Sequence, residues 1–185
     1  MIASLAPRSD FPTLEESVYL NQASLGLIGR PAVEAMHGFL DDVARHGNRS
    51  MSDRDEVAYF ESLRERAARL LGSEVGAIAI IGGASELLGQ LPYLLEPAPG
   101  SRVLAVATDF PAVTRPWLRL AAGGGCELRF VDDAPADDLT STLIDALDER
   151  TSVLAVSHVQ YATGTVVDIP RLRDATRDAK ASLIV

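Results

Sequence analysis

The chain of 185 residues is 47% hydrophobic and carries a formal net charge of −9. Those values suit a soluble α/β domain with a sizeable core. The acidic balance, with no run of Lys or Arg, argues against nucleic acid or an acidic membrane as a partner.

In chain order, residues 1–30 read as an irregular arm around "YLNQASLGLIG". Pro31 suits the first turn of a helix. Val33, Met36, Leu40 and Val43 then recur at helical spacing until Gly47 stops the pattern. "GNRSMSD" is a polar loop. Ser52 with Asp55 predicts a capping box. Val57, Phe60, Leu63, Ala67 and Leu70 form the expected buried stripe of the next helix, which Gly72 ends. After this the pattern changes. "AIAII" (77–81) is a short, continuous apolar run that predicts a strand. "GGAS" follows, and a helix begins near Ser85. Further strands are expected at 102–107, 127–131 and 152–157, and a fifth begins at Ser182. Helices are expected between them: one over "PAVTRPWLRLAAGGG" with a glycine-rich exit, one over "DDLTSTLIDALDE" capped by Asp137 or Asp138, and one with Pro170 near its start. Continuous apolar strands alternating with helices predict an α/β fold, a mostly parallel sheet with helices on both faces.

Ligands in such sheets bind at the carboxyl ends of the strands. Gly82 and Gly83 allow close backbone approach there, and the helix opening at Ala84 and Ser85 favours an anion, most naturally a phosphate. A tight strand-to-helix turn with Ser85 as its cap is the plainer alternative. No Walker A loop and no GxGxxG is present. Phe110 at the next strand exit could stack on a flat ring or belong to the core. Ser157, His158 and Gln160 are polar groups ending an apolar strand, and burying them requires partners. His158 reads equally well as a satisfied structural histidine. A Ser–His–Asp hydrolase is poorly supported, because no G-x-S-x-G elbow exists. His37 and His46 read as surface or cap residues, and the Asp pairs at 41–42, 132–133 and 137–138 as solvated faces and caps. Three scattered histidines and Cys126 make no metal site, and one cysteine makes no disulfide framework. Sixteen arginines accompany a single lysine, Lys180. No apolar run is long enough to span a bilayer, and the first residues lack the apolar core of a signal peptide, so a cytoplasmic protein is expected.

The succession "YLNQASLGLIGRPAVEAM", "GNRS", "IIGGASE", "TDFPAVTRPW", "SHVQYATGTVVDIPRL" and "ASLIV" resembles the class V aminotransferase family, fold-type-I enzymes that use pyridoxal 5′-phosphate (PLP). Cysteine desulfurases, kynureninases and isopenicillin-N-epimerase-like proteins belong to it. The resemblance implies that Gly83, Ala84 and Ser85 hold the cofactor phosphate. It implies that Phe110 stacks on the pyridine ring and that Gln160 meets the ring's 3′-oxygen, with His158 and Tyr161 in support. Asn21, Ala23 and Ser24 would line the substrate carboxylate side, and Asn48 and Arg49 the active-site mouth. Residues 31–185 would form an incomplete PLP-binding large domain behind the arm, without the C-terminal small domain. The aspartate that pairs with the pyridine nitrogen and the Schiff-base lysine are expected beyond Val185, in the rest of a longer chain or in a second chain. Lys180 should sit at the amino end of the sheet, far from the site. The substrate is expected to be an α-amino acid and the assembly a homodimer or a complemented pair. The residues 77–81 would have unpaired edges, so residues 1–185 alone are not expected to form a stable domain. The alternative is a non-catalytic module that binds a phosphorylated ligand or a related subunit. A flavodoxin-like phosphate binder fits the strand–helix alternation but not the long region before the first strand.

Overall fold

Four parallel strands carry the fold: β1 (Arg102–Val106), β2 (Glu127–Val131), β3 (Thr151–Ala155) and β4 (Ser182–Ile184), in the order β2-β1-β3-β4. The computed structural model describes residues 6–49, 51–133 and 138–185. Contacts divide the chain into two compact units, Met1–Ile80 and Ile81–Val185.

In the second unit, α4 (Ala84–Leu95) precedes β1, and the helices α5 (Pro111–Ala122), α6 (Leu139–Ala146) and α7 (Ile169–Asp178) connect the strands. Successive side chains of a strand point to opposite faces, and at the central strands β1 and β3 both faces are buried. Leu104, Val106, Leu154 and Val156 pack with Leu143 of α6 and Leu172 of α7. Val103, Val153 and Ala155 pack with Val113 and Trp117 of α5, backed by Leu88 and Leu91 of α4. Burial on both faces explains why the central strands β1 and β3 read as nearly unbroken apolar runs, whereas the edge strand β2 carries Glu127 and Arg129 and is largely exposed. Each large buried side chain contributes about 1.5–3 kcal/mol. α6 has Asp138 as its N-cap residue; Asp137 lies outside the described residues. Asp168 caps α7, accepting from the Arg171 backbone N–H at 3.0 Å.

The first unit holds a short helix α1 (Thr13–Glu16) and two long ones, α2 (Arg30–His46) and α3 (Asp53–Leu71). Pro31 lies in the first turn of α2, and Gly47 follows its end. The capping box at Ser52 and Asp55 is formed, and Gly72 closes α3 in the left-handed conformation at φ 63°.

Two expectations are corrected. The apolar stripes of α2 and α3 lie open: Phe60 is 53% and Leu70 is 70% exposed. Among the described residues of this unit only Ala68 is buried. Periodicity marks a face that can be buried, and burial needs an opposing surface. Residues 77–81 are not a strand. Val75–Ala77 form a 3₁₀ turn, and Ile78 is extended (φ −103°, ψ 120°) with no ladder partner among the described residues. Extended apolar backbone becomes a strand only where a neighbour supplies hydrogen bonds. No described helix is long and apolar enough to cross a membrane.

Candidate functional site

From β1 the chain crosses to β2 on one side, and from β3 it crosses to β4 on the other. The winding reverses between β1 and β3, and the carboxyl ends of these two strands form the crevice where open α/β sheets bind ligands. A buried carboxylate sits there. Asp109, three residues past β1, is 4% exposed. The Ser157 N–H and the Gln160 amide donate to its Oδ2 at 2.8 and 3.1 Å. The Ser157 hydroxyl and the Phe110 N–H donate to its Oδ1, both at 2.6 Å. Gln160 is 1% exposed, and its amide nitrogen also donates to the Ser157 carbonyl at 3.1 Å.

A second carboxylate ties the same edge. Asp133, past the end of β2, accepts from the Thr108 and Thr163 hydroxyls at 3.3 and 2.9 Å. The segment after β3 folds back on itself. Gln160 N–H donates to the Thr165 carbonyl at 2.9 Å and Val167 N–H to the His158 carbonyl at 3.0 Å, with Gly164 at φ 74° making the turn. These bonds fix a loop whose backbone would otherwise cost entropy to order.

Beside this edge lies a cleft of about 490 Å³ between α4 and α5. Ser85 in the first turn of α4 and Phe110 at the exit of β1 both line it, with Tyr93 and Arg115. Gly83, not Ser85, is the N-cap residue of α4, and the Ser85 hydroxyl has no hydrogen-bond partner among the described residues, so this hydroxyl and the first N–H groups of the 12-residue helix can receive an anion. A Cβ built on Gly83 meets nothing within 4 Å, so the turn is open towards its surroundings. Phe110 is 49% exposed, and the Tyr161 ring meets it edge to face, centroids 5.4 Å apart at 87°. Among the described residues, no group of histidine, cysteine and acidic side chains could hold a metal ion.

The structure thus brings Gly83, Ala84, Ser85, Phe110, His158 and Gln160 into one unit, on loops and helix starts. Gln160 is placed differently from expectation. Its side chain lies beneath the surface, and both amide hydrogens are donated inside the protein, so none is left for a ligand oxygen. His158 is exposed rather than a satisfied core histidine. Asn21, Ala23, Ser24, Asn48 and Arg49 are exposed turn residues of the first unit, where Ser24 N–H donates to the Asn21 carbonyl at 3.3 Å; Ser50 lies outside the described residues. His46, in the last turn of α2, pairs with Asp42 at 2.9 Å on the surface. Lys180 stands in the turn before β4, at the amino edge of the sheet. Cys126 is buried beside Trp117, and burial pushes its thiol up, away from the thiolate form. Asp109 was not singled out in the sequence; the available signal was an acidic residue between a buried apolar strand and Phe-Pro.

The aminotransferase class-V profile matches residues 18–185. The chain belongs to the aminotransferase class-V family. Among curated class-V relatives, it is 30% identical over 190 residues to a probable cysteine desulfurase of Aeropyrum pernix, covering 96% of this chain and 45% of that protein. It is 31% identical over 194 residues to the kynureninase of Burkholderia pseudomallei, covering 97% and 44%. Among solved structures, a C-DES mutant with glycine covalently linked to its PLP cofactor superposes with a TM-score of 0.82 at 20% identity, over 96% of this chain and 47% of that one. The fold is therefore that of part of a fold-type-I class-V enzyme, and the chain spans less than half the length of the curated relatives it matches.

Proposed function

We propose that these residues are part of a PLP-dependent enzyme acting on an α-amino acid, as a transaminase, lyase, desulfurase or epimerase-like enzyme. The observation that carries this reading is the shared cleft. In a class-V chain, the helix start with a free serine hydroxyl and the half-exposed aromatic ring line one space at the carboxyl edge. Its volume falls within the usual range for small-molecule sites. A phosphate fits the N–H groups and hydroxyl of Gly83, Ala84 and Ser85, and a flat ring fits the face of Phe110.

When bound, the cofactor supplies an electron sink for bond cleavage at the substrate Cα. The chain's own residues do the holding. Gly83 to Ser85 anchor the anionic end, and Phe110 fixes the plane of the ring. His158 offers a free imidazole on the same loop as Gln160. Asn21, Ala23, Ser24, Asn48 and Arg49 are assigned to the substrate side by resemblance alone. Lys180 stands at the wrong edge of the sheet, so the Schiff-base lysine is assigned to residues outside these 185. They would come from a longer chain or a partner, the whole being a homodimer or a complemented pair.

The test uses the protein at its native length. PLP is added, the sample is reduced with borohydride, and the intact mass is read. A single pyridoxyl adduct on a lysine other than Lys180 is the expected result. Absence of any specific adduct, with PLP still bound reversibly, would favour the second reading, a non-catalytic module for a phosphorylated ligand. The position of Lys180 is the observation behind that alternative.

A further inference from the structure

Asp109 stands apart from the other carboxylates of the second unit. At the amino edge of the sheet, Glu127 and Asp148 are neutralised by Arg102 and Arg150. Asp109, the one carboxylate among the buried described residues, has no cation; its four bonds come from two backbone N–H groups, a hydroxyl and a primary amide. A buried charge held only by neutral donors is costly unless every bond is made. Nothing in the fold requires that cost for packing, since β1 and β3 are already joined by their own ladder.

The arrangement is also directional. One oxygen takes the N–H of Phe110, the residue immediately after it, and the hydroxyl of Ser157. The other takes Ser157 N–H and the amide of Gln160. Gln160 is thereby held in one orientation: both amide hydrogens are used, and its Oε1 is left buried without a partner. An unpaired buried acceptor costs about 1–3 kcal/mol, and the amide remains so because turning it would set its oxygen against the Asp109 carboxylate. The next residue, Tyr161, carries the ring that meets Phe110 edge-on. One carboxylate therefore sets the backbone beneath both aromatic rings, across 48 to 51 residues of sequence.

We propose that Asp109 is a positioning residue: through the Phe110 N–H and the Ser157–Gln160 pair, it fixes Phe110, braced by Tyr161, as a pre-set face for the cofactor ring. This rests on the PLP reading above. An aspartate is required rather than an asparagine, because all four partners donate and an amide would present N–H to N–H. Pre-set geometry matters because ordering a ring at the moment of binding weakens affinity.

The experiment is a double-mutant cycle on the native-length protein with PLP as ligand, reading the dissociation constant and the visible circular dichroism of bound PLP. Asp109→Asn is expected to weaken binding about tenfold when Phe110 is present, and less than about twofold when Phe110 is already Ala. The dichroism band should change in the first background and not in the second. An equal loss in both backgrounds would overturn the proposal, leaving Asp109 a tie between strands. Should Asp109→Asn not fold, Ser157→Ala, which deletes one bond only, goes through the same cycle. Coupling of about threefold is then expected, and none overturns the proposal. If the unmodified protein binds no PLP, the cofactor reading itself falls and this inference with it.

Discussion

Val153 and Leu154 on β3 are sealed on opposite faces of the sheet, whereas Phe60 and Leu70, spaced as regularly on α3, stand largely in solvent. Both units carry apolar patterns of good quality. In Ile81–Val185 the central strands β1 and β3 are buried on both faces, while the edge strands β2 and β4 are only partly covered. In Met1–Ile80 two amphipathic helices bury one described residue, Ala68. Pattern states which face can be buried; energy is gained only where another surface removes that face from water. An open apolar face of this extent marks an interaction surface or an aggregation liability.

The largest test of this contrast is the chain by itself. Residues 1–185 expressed alone are expected to lack a cooperative monomeric fold, since the open stripes of α2 and α3 and the unpaired run at 78–81 stay exposed. Size-exclusion chromatography and circular dichroism read this, and a monodisperse species with one sharp transition would refute it. Next come single side chains in the native-length protein. Trp117→Ala should cost about 3–5 kcal/mol in denaturant titration, while Leu70→Ala should change stability by no more than about 0.5 kcal/mol. A Leu70 loss as large as that of a core residue would show that a surface from outside these residues covers α3. A smaller effect is expected at the start of α3, where Ser52→Ala removes the capping box and should cost about 1 kcal/mol, seen as fraying of that helix by hydrogen exchange.

The smallest effect is acid sensitivity. The Ser52 hydroxyl holds the Asp55 carboxyl below its ordinary value, the Ser141 hydroxyl and Arg171 hold Asp138 well below it, and Thr151 holds Asp148 below it. A depressed folded-state pKa contributes stability that is present above the ordinary value near 3.8 and lost as pH falls through the folded value. All three groups are solvent-screened, so the slope should be shallow. Denaturant midpoints should hold steady above pH 4 and decline below it, and Asp138→Asn should flatten that decline. A midpoint unchanged down to pH 2 would remove these contacts from any account of stability.

The strand positions at 102–106, 127–131 and 151–155 lie within two residues of where the sequence places them; for β1 and β3 the reason is that a strand buried on both faces is apolar almost throughout. Pro31, Ser52 and Gly72 mark helix ends through local chemistry that needs no distant partner. The places of the "GGAS" turn before α4 and of Phe110 before α5 were legible for the same reason, and so was the remote place of Lys180, which follows from parallel strands alone. Residues 77–81 were misread, since a strand is made by its neighbour and not by its own composition. The partner of Gln160 could not be read from the sequence, because it is Asp109, 51 residues away.

By itself, then, the sequence determined local states: where strands and helices run, which faces are apolar, and which short turns can approach a ligand. Those follow from side-chain shape, backbone freedom and spacing within a few residues. Only the tertiary structure decided which apolar faces meet another surface, and that Asp109 after β1 accepts bonds from Ser157 and Gln160 after β3. Both depend on the order β2-β1-β3-β4, which brings distant segments side by side and turns a polar residue at a strand end into a buried, fully bonded carboxylate.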